Sequence, residues 1–511
     1  MSVNWPLTTL KKAGINLIDC DHKTPKAQKE GFPYIGIPQL KDGRILLDGA
    51  RLISEADFHH WRRKANPAPD DVILSRRCNP GEMAYVPKNL DIALGQNLVL
   101  LRADGEKVFP PFLRWVSQGS NWWRQVNKYI NVGAVFDSLK CADIPKFEFR
   151  LPPMEDQKRI AKILGDLDKK IELNRQTNQT LENIAQAIFK SWFVDFEPTR
   201  AKIAAKQEWD KKSLTAKNTQ NMRAALGAGS GGNDTALSNE QEKAIFIERA
   251  AMAAISGKSL DELDQLDVQG CTNAAGAGSA GAASPEQLEQ LKATAALFPD
   301  SLVDSELGEV PEGWEVKPLS KMVELIGGGT PKKSEEAYWN GDIPWFSVKD
   351  APANGDVFVV STELKITELG LNKSSTRLLP EGVTIISARG TVGRLALVGV
   401  PTAMNQSCYG VKGANGIGIY LNYFNLKEAV STLQQNTHGA VFDTITRDTF
   451  ETVFLVNSPK ELKEIFEENV TSNFKKIRNN LFECESLEEL RDSLLPKLLS
   501  GELQVGSEEA A

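Results

Sequence analysis

The sequence predicts an α+β protein made by tandem duplication. A mixed α/β globular domain is followed by a long helix, twice over, and the two helices pair as an antiparallel coiled coil. Three observations carry this. Short strings recur in one order at one spacing, each recurrence spans strand-rich sequence, and each ends where the apolar residues switch to a helical period.

The repeat comes first. GAVFD begins at Gly133 and at Gly439, a separation of 439 − 133 = 306 positions. KKI at Lys169 and Lys475 has the same separation, as do Thr24-Pro25 and Thr330-Pro331, Pro153 and Pro459, and Asn174 and Asn480. PYIGI (Pro33–Ile37) is similar to PWFSV (Pro344–Val348), and VILSRR (Val72–Arg77) to VTIISAR (Val383–Arg389). Gln96 and Gln406 fall in corresponding apolar surroundings. Two copies are too few for a solenoid, so this is one module used twice.

The globular parts are residues 1–154 and 301–458. Their apolar, β-branched runs (YIGI, VILS, LVLL, VTIIS, LALVG) are punctuated by Gly and Pro, which marks short strands and turns. Helical stretches at Pro111–Tyr129 and Tyr420–Gln435 make each domain mixed.

Residues 155–200 and 459–500 are the helical parts. Steps of four and three give a seam through Ile160, Leu164, Leu167, Ile171, Asn174, Asn178, Leu181, Ala185, Ile188 and Trp192. The second seam runs through Phe466, Val470, Asn473, Ile477, Asn480, Cys484, Leu487, Arg491, Leu494 and Leu498. A polar break sits mid-seam in each, where an Asn costs stability and fixes register. A first helix unbroken from Glu155 to about Phe196 is about 60 Å long at ~1.5 Å per residue. Pro496 places the end of the second helix's regular part near Leu495.

Residues 201–300 differ in kind. AALGAGSGG (Ala224–Gly232) and NAAGAGSAGAAS (Asn273–Ser284) carry no core and read as flexible linker, with short helices fitting at Asn239–Ala254 and Ser259–Leu266. Residues 501–511 read as a disordered tail.

Composition narrows the function. No run approaches the length of a membrane span, and the start lacks a secretory layout, so no membrane partner is expected. The six cysteines are scattered, which fits the cytoplasm, and with the four histidines they form no zinc-spaced cluster, so no metal is expected. A net charge of −7 argues against a uniformly basic nucleic-acid binder, but the acidic residues concentrate in the helices and tail, so local clustering decides. No phosphate loop, dinucleotide fingerprint, methyltransferase motif or nucleophile elbow is present, and no catalytic residue is assigned. Pro299-Asp300 followed by Glu315-Val316-Lys317 fits the permissive metal-dependent nuclease pattern. The residues between, including VPEGW (Val310–Trp314), read as a loop rather than a strand pair, which counts against it.

Several clusters join positive charge to planar or amide side chains. In the first copy these are Thr24 with Lys26, the pair Arg76-Arg77, and Gln96. In the second they are Thr330 with Lys332-Lys333, Tyr338-Trp339, Arg389, Arg394 and Gln406. Arg grips guanine through two hydrogen bonds, Gln does the same for adenine, and Lys beside Thr suits a phosphate. Taken singly each is also an ordinary solvated side chain. Their recurrence at comparable places in both copies makes them candidates for double-stranded DNA.

Longer strings carry a family resemblance. GGGTPKKSEEAYWNGDIPWFSVKD (Gly327–Asp350) is similar to the opening of a target-recognition domain in the specificity subunits of Type I restriction-modification systems. FRLPPMEDQKRIAKILGDLDKKIELN (Phe149–Asn174) resembles that family's entry into its spacer helix. SWFVDFEP (Ser191–Pro198) and LLPKLLSGEL (Leu494–Leu503) resemble its helix ends, and LFPDSLVDSELGEVPEGWEVKPL (Leu297–Leu319) its approach to the second domain. The first copy departs from the pattern, with DHKTP where the second has GGGTP.

The resemblance implies a non-catalytic subunit that reads an asymmetric, bipartite DNA target, one half per domain, with the helices as a ruler for the gap. It implies two methylation subunits, docked at helix ends bearing Trp192, Phe193, Phe196, Leu498 and Leu499. S-adenosylmethionine is then expected on those partners, the chain itself having no cofactor, and restriction (translocase) subunits join the complex. A methylation-only or other phage-defence methylase is the alternative, and a nuclease using Asp300, Glu315 and Lys317 a remote one.

Overall fold

The computed structural model describes residues 5–21, 23–133, 136–225, 239–263, 285–353, 355–436 and 444–504. It divides into two compact units, Met1–Leu173 with Glu483–Ala511, and Asn174–Phe482. Each unit holds one globular domain and a segment of each long helix.

In the first unit a four-stranded antiparallel sheet runs in the order Ile15–Asp19, Leu98–Ala103, Val72–Ser75, Met83–Tyr85. All four residues of Val72–Ser75 are buried, so this strand is an apolar run rather than an alternation. The two-residue period still sorts its side chains. Val72, Leu74, Val99 and Leu101 join the core of Phe112, Trp115, Trp122, Ile160, Leu164 and Leu498. Ile73, Leu98 and Leu100 join the opposite core of Ile35, Val86 and Leu94. A three-stranded sheet, Arg51–Ile53, Phe32–Ile35, Ala93–Leu94, pairs Tyr34 with Ala93 in parallel.

The second unit repeats this. Its sheet runs Val323–Gly327, Cys408–Gly413, Thr384–Ser387, Leu395–Val398, with Phe358–Val359 added at the edge. Its three-stranded sheet pairs Trp345 with Ala403 in parallel. Register agrees as well as order, Leu98 facing Ser75 in one domain and Cys408 facing Ser387 in the other. Leu7–Thr9 pairs Glu148–Arg150, and Glu315–Pro318 pairs Phe454–Asn457, tying each domain's start to its end.

The long helices are Met154–Phe193 and Lys460–Ser500. In the first unit Asp168 meets Arg491 at 2.9 Å, and Ile160 and Leu164 share a core with Leu498. In the second, Asn178 accepts a 2.8 Å hydrogen bond from Asn480, and Trp192 packs on Phe466. Rising numbers on one helix meet falling numbers on the other, so the segments pair antiparallel. The buried polar break is Asn174, Asn178 and Asn480. The second seam takes Phe474 in place of the expected Asn473, because a step of four from Val470 buries the larger apolar side chain. On the first helix Glu182 and Phe189 are buried beside the half-buried Leu181 and Ile188.

Helix ends depart from expectation in two places. The second helix continues through Pro496 to Ser500. Proline has no N–H for the carbonyl of Asp492, but the last turn loses only that bond, and Asp492 is exposed to water. Gly501 at φ 72° then closes the helix, with Leu503 N–H on Lys497 O at 3.1 Å. The first helix stops at Phe193, and Phe196, at φ 52°, turns the chain into a new helix, Glu197–Ala225. In the segment read as linker at 201–300, Asn239–Ser256 forms the helix expected at Asn239–Ala254, while Glu197–Ala225 and Pro285–Ala296 are further helices, and Ala251, Met252, Leu263 and Ala295 form a small core. Apart from Ala224 and Ala225, its glycine-rich stretches lie outside the described residues, as do Gly439–Asp443 and the tail from 505.

The second domain is also tied to the first long helix by polar contacts. Buried Glu182 accepts from Gly355 N–H at 3.1 Å, Tyr423 Oη at 3.1 Å and Lys427 Nζ at 2.8 Å. Burial and the Glu182 carboxylate push the Tyr423 phenol well above its ordinary pKa. Among the described residues no helix is long and apolar enough to cross a membrane.

Candidate nucleic-acid interface

The sheet's central strand ends alike in both domains. Ser75 N–H bonds Glu82 O at 2.8 Å and Ser387 N–H bonds Arg394 O at 2.9 Å. One residue on, Arg76 N–H bonds Asn97 O at 2.8 Å and Ala388 N–H bonds Ser407 O at 2.7 Å. The next residue is Arg77 in one domain and Arg389 in the other, and each forms an isolated bridge, to Ser138 and to Thr444. Both arginines are exposed. Continuing the register sets Arg77 across from Gln96 and Arg389 across from Gln406, both glutamines also exposed.

The Thr-Pro loops reach the same end. Gln96 N–H donates to Tyr34 Oη at 3.2 Å, the Thr24 side chain is a further hydrogen-bond partner of that phenol, and Tyr34 Oη donates to Lys23 O at 3.1 Å. Burial raises the Tyr34 pKa, which keeps the phenol a donor. In the second domain the Thr330 hydroxyl donates to Gln406 Oε1. Here the glycines are required, because a Cβ on Gly328 lies 2.0 Å from Asn405 O and one on Gly329 lies 2.3 Å from Ser375 Oγ. Threonine, arginine and glutamine thus stand together twice, on one framework, exposed apart from the half-buried Thr330, as a set of donors and acceptors suited to phosphates and base edges.

Other candidates divide. Lys26 and Lys333 are exposed, and Lys332 is exposed with Glu335 at 3.2 Å. Tyr338 and Trp339 are half-buried, and Trp339 packs edge-on against Trp345, so it belongs to the small sheet's core. Arg76 turns inward, its side chain 11% exposed and 3.9 Å from Asp19. Arg394 is exposed, but its positional counterpart is Glu82, so it is not shared. It borders a cleft of about 170 Å³ with Glu182, Tyr423 and Lys427.

The residues assigned to partner docking are corrected by their burial. Trp192 is 2% exposed against Phe298 and Phe466, and Phe193 and Phe196 pack on Trp314. Leu498 lies in the first unit's core, with Leu499 packed against it. An amphipathic aromatic run looks the same whether it meets its own domain or a partner, and here it meets its own domain. The nuclease-like residues are likewise engaged. Asp300 bonds Lys206 at 2.7 Å, which lowers its pKa, and Glu315 is held low by Lys317. Contrary to the loop reading, a hairpin, Leu302–Ser305 with Gly308–Pro311, lies between them. Among the described residues no three His, Cys, Asp or Glu are grouped to hold a metal ion.

Sequence reasoning missed Tyr34 and Trp345, although the PYIGI/PWFSV correspondence sets them at one position. It also missed Glu182, which nothing in a helical pattern distinguishes from a solvated glutamate.

Comparison with known proteins matches both copies to one family. The family described as Type I restriction modification DNA specificity domain matches residues 18–183 and 311–467. The chain is 30% identical over 458 residues to the Type I restriction enzyme HindI specificity subunit of Haemophilus influenzae, covering 88% of this chain and 89% of that one. It is 28% identical over 193 residues to the Type I restriction enzyme MjaIX specificity subunit of Methanocaldococcus jannaschii, covering 36% and 44%. A crystal structure of the Type I restriction-modification S subunit from M. genitalium aligns over 97% of this chain and 96% of that one, at 12% identity and a TM-score of 0.47.

Proposed function

The chain belongs to the Type I restriction-modification DNA specificity family, and on that premise we propose that each globular domain reads one half of a bipartite, asymmetric target in double-stranded DNA. The observation that carries the reading is the doubled set of Thr24, Arg77 and Gln96 with Thr330, Arg389 and Gln406 at one end of equivalent sheets. A module duplicated to read two sites reuses its reading surface. In this reading the chain is a non-catalytic cytoplasmic subunit. Two methylation subunits carry S-adenosylmethionine and reach adenine by flipping it out of the duplex, and restriction subunits join them. The paired helices set the gap between half-sites. Because Trp192, Phe193, Phe196 and Leu498 are buried in this chain, docking in this reading uses other, exposed side chains.

The test is a map of methylated adenines in cells that express the chain with its methylation subunits, with and without residues 1–154 replaced by another member's domain. A gapped two-part motif with one half changed by the swap is the expected result. A motif that changes in both halves or neither refutes the division of labour. Four residues inserted near Asn174 and matched near Asn480 are expected to lengthen the gap by one or two base pairs, since a helical turn rises about 5.4 Å and a base-pair step about 3.4 Å.

A further inference from the structure

We propose that Tyr34 and Trp345 are positioning residues for DNA reading, each a buried ring whose polar tip fixes the Thr-Pro loop beside the glutamine turn. This rests on the reading above and assigns part of each half-site's specificity to a side chain that touches no DNA.

The two residues hold the same place by backbone criteria. Each lies on the middle strand of a three-stranded sheet and pairs in parallel with an alanine, Ala93 or Ala403. Each is buried. Each donates to the carbonyl of the residue immediately before the Thr-Pro pair, Tyr34 Oη to Lys23 O at 3.1 Å and Trp345 Nε1 to Gly329 O at 3.0 Å. Tyrosine and tryptophan differ in size, shape and donor atom. What they share is an apolar body with a hydrogen-bond donor at its edge. A phenylalanine fills a strand position of this kind as well, so packing alone does not account for a donor aimed at the same carbonyl in both copies.

The tie to the glutamine turn differs in chemistry and agrees in effect. In the first domain Tyr34 Oη also accepts from Gln96 N–H, so one phenol joins loop and turn. In the second, Gly329 N–H bonds Met404 O at 2.9 Å while Trp345 holds the carbonyl of the same residue. Lys23 stands where the second domain has Gly329. The first loop cannot press as closely on the turn, and a second donor, Trp61 Nε1, reaches Lys23 O at 3.0 Å. Without the Tyr34 hydroxyl, Lys23 O keeps only Trp61 and Gln96 N–H loses its acceptor, so the link from loop to turn is cut; without Trp345 Nε1, Gly329 O loses its side-chain donor. In each case the loop shifts off the turn, and threonine and glutamine lose their common geometry.

The test uses the full chain assembled with its methylation subunits. Binding and methylation are measured on DNA with single-base changes confined to one half-site at a time. Tyr34→Phe is expected to lower discrimination about tenfold at the half-site read by the first domain and to leave the other unchanged. Trp345→Phe is expected to do the converse. Tyr34→Trp, which returns a donor to the position, is expected to recover part of the loss. A merely structural role predicts equal loss on every target, matching lost thermal stability, and that result overturns the proposal. So does unchanged discrimination in both phenylalanine variants while Arg77→Ala and Gln96→Ala alter the first half-site. If those two alanine variants also leave discrimination unchanged, the interface reading itself fails and the positioning role falls with it.

Discussion

In the first domain the residue after Ser75 is Arg76, folded inward against Asp19. In the second the residue after Ser387 is Ala388, a buried methyl side chain without charge. One residue later both domains present an exposed arginine, Arg77 and Arg389. Strand order, register and turn hydrogen bonds are held constant, while neighbouring side chains drift. Positions that are both exposed and shared are therefore separable from positions that are only basic. Adjacent residues in a sequence such as SRR point to opposite sides of a strand end, so a charge cluster seen as one signal splits into a packing residue and a surface residue.

The domains also differ in how they hold the long helices. The second unit does so with aromatic rings, Phe189, Phe193, Phe424 and Phe466 among them. The first unit also packs its helix segments on apolar residues, and adds between the two long helices a carboxylate, Asp168, which bonds Arg114 at 2.6 Å and Arg491 at 2.9 Å. The second unit's buried carboxylate, Glu182, instead ties one helix to the domain. Phe466→Ala is expected to cost about 3–5 kcal/mol in urea denaturation, the range for a large aromatic removed from a packed core. Asp168→Ala leaves two arginines without their shared carboxylate and is expected to cost about 2–3 kcal/mol, below the fully buried range because these side chains keep some solvent contact. The second cost shrinks in high salt and the first does not. Equal salt sensitivity in the two variants breaks the contrast.

Next in size are the shared arginines. Arg77→Ala and Arg389→Ala are each expected to cost about 1–3 kcal/mol on the cognate half-site and to relax one base position there, measured by binding to half-site variants. A loss spread evenly over all sequences makes the residue a phosphate contact instead. Arg76→Ala gives the first domain the second domain's residue. It is expected to leave specificity intact and to cost no more than about 1 kcal/mol of stability, since the guanidinium is poorly paired, with its Nε lacking a partner and Asp19 3.9 Å away. Relaxed specificity in Arg76→Ala contradicts its assignment to packing.

What the sequence revealed follows the same division. The duplication was legible because anchors such as Thr24-Pro25 and Thr330-Pro331 keep one spacing, and the strands because four-residue apolar runs like VILS are bounded by turn residues. The seams were legible except where two neighbours compete for burial, as Asn473 and Phe474 do, since volume decides and period alone does not. The helices within 197–296 were only partly legible, because an alanine-rich face gives little contrast between buried and exposed. Of the interface, Arg77, Arg389, Gln96, Gln406 and the threonines were visible as recurrences. The roles of Tyr34 and Trp345 were not, because a donor aimed at a carbonyl depends on two loops that only the fold brings together.

The smallest effect separates the domains by charge. Each long helix lends a side chain to the N-terminus of a domain helix. Gln157 Oε1 accepts from Phe109 N–H at 2.8 Å, ahead of Pro110–Val116. Glu467 accepts from Tyr420 N–H at 2.9 Å and Leu421 N–H at 3.2 Å, at the start of Ile419–Asn436. A helix N-terminus favours the carboxylate, yet burial outweighs this and its N–H donors, and raises the pKa of Glu467 above its unfolded value. Above the raised value both folded and unfolded chains are ionised, and the folded state bears the full cost of burying the charge. As pH falls through the raised value toward the unfolded one, the folded state takes up its proton first, so this residue's contribution to stability improves. Glu467→Gln gives the second domain the neutral acceptor that the first already uses. Relative to the parent chain, the variant is expected to be more stable at pH 8 by no more than about 1 kcal/mol, with the gap closing by pH 5, read from urea denaturation at both values. Parallel curves for parent and variant mean that Glu467 titrates as it does in the unfolded chain. The charge on the second cap then adds no pH dependence to the stability of the fold.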